Sequence, residues 1–192
     1  MPDRSYHHGH LRAALLDQAE RTLREQGIEG LSLRDLARQT GVSHAAPRRH
    51  FPDRQALLDA LAEVGFLRLG DALAAVLDEA GEDYEKRLRA VATGYVRFAT
   101  ENAALLDLMF ATKNTGPSDA VRAASARLFT SVGELIAEGQ QAGVLPPGDL
   151  ERLRLLLVAT LQGIAALVTS GRARPEQTGP LIADAAGLFL RR

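Results

Sequence analysis

The sequence predicts an all-α protein of about nine helices. Alanine and leucine dominate its 192 residues and aromatic residues make up only 5%, a mix that favours helix because unbranched side chains lose little rotamer freedom there. No segment alternates β-branched with polar residues between turn signals, as a sheet requires. Glycine, proline and short polar residues recur where helices would be capped or stopped.

Taken in order, the first helix runs over about residues 9–26, with Leu11, Leu15, Leu16, Ala19 and Leu23 on one side and Gly27 ending it. A second, short helix starts after Ser32 and stops at Gly41. Ser32-Leu33-Arg34-Asp35 reads as a capping box, the hydroxyl meeting a free N–H while Asp35 reaches back. A third, shorter helix starts after Ser43 and is stopped by Pro52. Asp53 caps a fourth that continues to about Ala80. Five more are expected over 83–101, 103–112, 118–142, 149–170 and 176–191. The functional division falls at 56/57, a head of residues 1–56 and a body of 57–192.

Charge respects the same division. Residues 1–56 hold nine arginines against seven acidic residues and all five histidines, whereas the remainder carries fourteen basic against seventeen acidic. A basic head on an acidic body suits a nucleic-acid-binding unit joined to one with another task. With no cysteine, disulfides and thiolate metal sites are excluded. Met1-Pro2-Asp3-Arg4 carries no apolar signal core. The apolar run from Leu155 to Val168, broken by Thr160 and Gln162, falls short of the ~20 residues a bilayer span needs. A cytoplasmic protein without a membrane partner is therefore expected. The head's His and Arg lack a partnered nucleophile, and the body has no His or Cys and no carboxylates at catalytic spacing. No catalytic residue, metal site or cofactor is implied.

Residues 32–51 place two short helices around Gly41-Val42-Ser43. Gly41 supplies the left-handed backbone of a sharp turn, Val42 plugs the crossing and Ser43 caps the next helix. That is the helix-turn-helix arrangement, whose second helix enters the major groove. At 100° per residue Pro47 and Phe51 point inward together. Ala45, Ala46, Arg48 and Arg49 point outward, flanked by His44 and His50. Small residues let such a helix sit close to a groove, and arginine forks onto guanine or phosphate; the alternative is a solvated arginine pair on a surface helix.

The run Gly30-Leu31-Ser32-Leu33-Arg34-Asp35-Leu36-Ala37-Arg38-Gln39-Thr40-Gly41-Val42-Ser43, and after it His50-Phe51-Pro52-Asp53-Arg54-Gln55-Ala56-Leu57-Leu58, closely resembles the tetracycline-repressor (TetR) family of bacterial regulators. The likeness covers about residues 9–62. It implies DNA binding by a homodimer, with Arg34 reaching a base or phosphate and Ser32 touching a phosphate while it caps. His44, Ala45 and Ala46 then occupy the base-reading turn, and His50 and Arg54 match a phosphate-contacting pair in which Arg54 replaces a commoner lysine. Arg48 stands where the family usually has tyrosine, which shifts that contact from phosphate toward base. Pro47 fits the family's apolar position but stiffens the segment. Tyr6-His7-His8-Gly9-His10 reads as an arm along phosphates, a disordered terminus or, least well without a nearby carboxylate, a metal site.

The same resemblance implies that the body binds a small-molecule effector and forms the dimer. Tyr95, Phe98, Leu105, Met109, Phe110 and Phe129 are candidate pocket residues, with Gln162 a rare polar group among apolar neighbours; the competing reading is plain core packing. Within the helix expected over 149–170, the stretch Leu153 to Val168 is apolar over most of its circumference, and Ala159, Gly163 and Ala166 permit close helix approach. In 176–191, Leu181, Ile182, Ala185, Leu188 and Phe189 recur at helical spacing. Pairing the two helices with their copies makes a four-helix dimer interface. The expected function is a repressor released from a palindromic double-stranded operator by an effector; the alternative is a helical small-molecule-binding protein without specific DNA recognition.

Overall fold

The computed structural model describes residues 8–114 and 116–190. Eight α-helices succeed one another: α1 His8–Gln26, α2 Leu33–Gln39, α3 Arg54–Ala80, α4 Tyr84–Glu101, α5 Ala103–Asn114, α6 Asp119–Gln141, α7 Leu150–Thr169 and α8 Pro175–Phe189. Short 3₁₀ turns stand at Ile28–Gly30 and Pro47–Arg49, and the described residues contain no strand. The chain is all-α, as its composition predicts. The histidine-rich segment at 6–10 lies outside the described residues apart from the helical backbone of its last three.

The expected third helix is the main departure. An α-helix starting at Ser43 needs the amide of residue 47 to donate to the Ser43 carbonyl, and Pro47 has no N–H. Ala46 N donates to that carbonyl instead at 2.9 Å, Arg49 N to Ala46 O at 3.2 Å and His50 N to Pro47 O at 3.0 Å. The segment is a turn running into a 3₁₀ turn, wound more tightly than an α-helix.

The chain forms two compact units: Met1–Phe66 with Ala104–Ala124, and Leu67–Ala103 with Ser125–Arg192. The functional division expected at 56/57 therefore falls inside the first of them. In that unit Leu15, Ala19 and Leu23 of α1 meet a core that includes Leu36, Ala37 and Phe51, all at most 2% exposed. Burying each such leucine contributes about 2 kcal/mol relative to leaving it in water. Thr22 and Gln18 tie α1 to α2, Gln18 Nε2 donating to Gln39 Oε1 at 3.0 Å and Thr22 Oγ1 to the same oxygen at 3.3 Å. The first half of α3 holds α5 and the start of α6: Phe66 meets Phe110 edge-on at 6.1 Å, and Ser118 N donates to Asp59 Oδ2 at 3.0 Å.

In the second unit α4 packs against α7 and α8. Leu88, Val91, Ala92, Tyr95, Val96 and Ala99 are its buried stripe, spaced as one helix face requires. Asp83 and Asp149 cap α4 and α7 by accepting from Lys86 N and Arg152 N. That second cap starts the helix where the span expected over 149–170 has it, but its length corrects the expectation drawn from the apolar run alone. The helix begins at Leu150 and spans twenty residues, of which the most apolar eighteen have mean hydropathy 1.5, long and apolar enough to cross a membrane by length and composition. The apolar run from Leu155 to Val168 is only its central part.

Candidate functional site

The helix-turn-helix is built from local hydrogen bonds. Ser32 Oγ accepts from Asp35 N at 3.0 Å, and its hydroxyl donates to Asp35 Oδ2 at 2.6 Å. That hydrogen bond, with smaller help from the charges of Arg38 and Arg34, holds the Asp35 carboxyl below its ordinary pKa although desolvation opposes the shift. At the other end of α2, Gly41 adopts φ 70°. Gly41 N then donates to Arg38 O at 3.3 Å and Val42 N to Ala37 O at 3.0 Å, the paired bonds of a Schellman end. The chain therefore turns sharply into the Ser43 segment.

Pro47 and Phe51 are buried, as the helical wheel predicts. Ser43, His44, Ala45, Arg48 and Arg49 are exposed, while Ala46 and His50 are half-buried. Arginine partners separate this face from the rest of the head. Arg38 pairs with Asp35 at 2.8 Å, Arg24 with Glu20 at 3.4 Å, and Arg21 donates to Gln18 Oε1 at 2.7 Å. Arg34, Arg48 and Arg49 are exposed and have no ion-pair partner among the described residues. Guanidinium groups left without protein acceptors are available to phosphate or base edges.

Arg54 does something the sequence reading missed. Its Nε donates to Leu31 O at 3.0 Å and an Nη to Ile28 O at 2.5 Å, so its fork is committed to the loop before α2. Arg12 was also missed; its guanidinium lies 5.5 Å from the centre of the Phe51 ring. Neither contact has a local sequence signal, since both join residues more than twenty positions apart.

Comparison with known proteins fits this geometry. Residues 15–61 match the bacterial regulatory proteins of the tetR family, and residues 88–186, half of the chain, match the tetracyclin repressor-like C-terminal domain. The chain belongs to the TetR family. Proteins of this family are DNA-binding transcriptional repressors with an effector-binding C-terminal domain. The tetracycline repressor protein class D of Escherichia coli is 36% identical over 86 residues, which cover 45% of this chain and 38% of that repressor. The match thus spans well under half of its curated relative. A protein of unknown function from Rhodococcus sp. RHA1 is 44% identical with a TM-score of 0.88, covering 97% of each chain. A TetR family transcription regulator from Marinobacter aquaeolei VT8 has a TM-score of 0.77 at 18% identity, over 94% of this chain and 96% of that one; at that identity the likeness is one of fold.

The second unit of this TetR-family chain contains a cavity of about 400 Å³ between α3, α4 and α6. Leu73, Leu77, Val91, Leu128, Val132 and Leu135 form its apolar wall. None of the pocket candidates drawn from the sequence lies on it. Met109 and Leu105 pack over Gly65, where a Cβ would stand 2.5 Å from Met109 Sδ. Phe110 meets Phe66, and Phe129 lies under the Arg154 guanidinium at 4.4 Å. Phe98 is buried. Tyr95 is only 5% exposed, and its Oη has no hydrogen-bond partner among the described residues. Burial pushes that phenol up to about 12, and half-buried Gln162 offsets a little of the shift without reaching hydrogen-bond geometry.

Proposed function

We propose that this chain is a homodimeric transcriptional repressor that a small-molecule effector releases from a palindromic DNA operator. The observation that carries the reading is the trio of unpaired, exposed arginines, Arg34, Arg48 and Arg49, around a turn anchored by buried Pro47 and Phe51. In this reading His44, Ala45 and Ala46 lie against base edges, while Ser32, Ser43 and His50 contact phosphates. Arg54 holds the loop that aims them and offers its remaining N–H groups to the backbone. Two heads then address major-groove faces about 34–36 Å apart.

Dimerisation is assigned to α7 and α8. Leu155, Leu156 and Leu167 of α7 and Leu188 of α8 are exposed at 55%, 51%, 39% and 82%, more apolar surface than a helix leaves in water without a partner. Exposed Ala159, Gly163 and Ala166 lie along the same helix and let a second copy approach. The effector site is assigned to the second unit, where the cavity between α3, α4 and α6 supplies apolar volume beside charged side chains. An effector touching α3 changes the angle of a helix that also carries Arg54, and so the separation of the two heads.

Selection of bound fragments from the source genome tests the reading. A near-palindromic consensus, bound by two protomers and protected at about 0.15 M salt, is the expected result. Sequence-independent binding that collapses with modest salt would instead support a helical small-molecule-binding protein without an operator.

A further inference from the structure

The wall of the cavity between α3, α4 and α6 is apolar, but its polar groups have one dominant sign. Asp78 of α3 and Glu134 and Glu138 of α6 line it, against a single guanidinium from Arg87 of α4. That guanidinium is already spoken for, because Arg87 pairs with Glu138. Asp78 and Glu134 have no ion-pair partner among the described residues. Tyr84 reinforces the same edge: its Oη donates to Leu135 O at 3.0 Å, and its ring lies where a Cβ on Gly139 would stand 2.3 Å from Oη. Arg87–Glu138 and Tyr84 therefore latch α4 to α6, and the uncompensated charge is the pair of carboxylates Asp78 and Glu134.

We propose that this cavity selects a small organic cation, an ammonium group carried on a compact apolar body. The volume lies within the ~300–1,000 Å³ usual for small-molecule sites. The leucine and valine wall takes the apolar body. Next to a low-dielectric wall, two unpaired carboxylates attract a cation and repel an anion more strongly than they would in open water. A neutral isostere gains the burial but not the attraction. The inference rests on the effector-regulated reading and gives that site its ligand chemistry; Leu73, Leu77 and Asp78 place the ligand directly on α3.

The test uses the full chain and a matched series of phenylalkylamines with two to six methylenes, each set against the alcohol and the carboxylate of equal length, by titration calorimetry. At least one amine is expected to bind about tenfold tighter than its alcohol, with the carboxylate weakest. Asp78→Asn and Glu134→Gln, both at exposed positions, should each weaken the amine by about three- to fivefold and leave the alcohol and the melting temperature unchanged. The inference is overturned if no probe binds, if every alcohol matches its amine, or if both amide variants bind amines as the parent does. Retention of genomic DNA fragments, measured separately, distinguishes the two readings. DNA retained without any amine preference overturns the cation inference alone, whereas amine preference without DNA retention supports the cavity chemistry and overturns the repressor.

Discussion

Arg54 Nε donates to the Leu31 carbonyl at 3.0 Å, joining the first turn of α3 to the residue just before the α2 cap. With the second bond to Ile28 O, which also accepts from Leu31 N at 3.3 Å, one guanidinium closes the loop and supplies the Leu31 carbonyl with its side-chain donor. The helix-turn-helix is held from behind by the first helix after it.

Arg54→Ala should therefore lower stability by about 1–2 kcal/mol, the range for a charge-assisted hydrogen bond partly open to water. Arg54→Lys should recover little of the loss, because a single ammonium cannot reproduce the fork that reaches both carbonyls. Urea denaturation of both variants reads this directly. A parent-like midpoint for Arg54→Ala would mean the clamp contributes nothing and the residue acts on DNA alone.

The unpaired arginines give a second expectation. Arg48→Ala and Arg49→Ala should each weaken operator binding by about 1–3 kcal/mol where the side chain reads a base edge. Where it meets a phosphate, the loss should be uniform across sequences and the salt slope should fall by about 1. Fluorescence anisotropy across a salt series on the selected operator separates the two. Neither variant changing affinity or slope would move the recognition surface away from this turn.

The features readable in the sequence are those set by neighbours along the chain. Asp53 at a helix start accepts from Ala56 N at 2.8 Å, and Ser32 and Gly41 bound α2 as their chemistry dictates. The inward pair Pro47 and Phe51 is equally legible, because residues four apart share a side in α winding and Phe51 N keeps that relation by donating to Pro47 O at 2.9 Å. The winding itself is not: Pro47 reads as an apolar plug, while its missing N–H decides that the turn is 3₁₀. Pairings between distant segments leave no local trace. Met109 and Phe110 resemble pocket residues by type, yet Gly65 and Phe66 claim them. The cavity is invisible for the same reason, since its carboxylates come from helices more than fifty residues apart and read singly as solvated surface.

The exposed leucines of α7 and α8 predict an oligomeric state that two charges should break. Leu155→Glu and Leu188→Glu each remove a buried leucine twice over in a two-fold interface, about 1.5–3 kcal/mol per copy. The parent should run as a dimer in light scattering after size exclusion, and the double variant as a monomer with unchanged helical circular dichroism. A parent that is monomeric at micromolar concentration, or a double variant that stays dimeric, would take the interface off this face.

Tyr84 and Tyr95 share a cause and differ in a partner, which makes them a matched pair. Burial pushes both phenols up to about 12, with Glu138 adding to the shift at Tyr84. Tyr84 donates to Leu135 O, while the Tyr95 hydroxyl is buried without an acceptor. Tyr84→Phe should thus cost about 1 kcal/mol at pH 8, whereas Tyr95→Phe should be neutral or stabilise by up to about 1 kcal/mol, because an unsatisfied buried group carries a desolvation cost. The pH dependence comes from the same shifts. An unfolded tyrosine ionises near 10, so between pH 10 and about 12 the unfolded chain has released protons that the folded chain still holds. This contribution is fully present below pH 10 and is lost as pH rises toward 12. Each phenylalanine variant removes one such titration, so stability should fall less steeply between pH 8 and pH 11 in either variant than in the parent. Urea titrations at the two pH values check both points. Equal destabilisation of the two variants at pH 8 would give Tyr95 a partner, and an unchanged alkaline slope in both would place the loss on other groups.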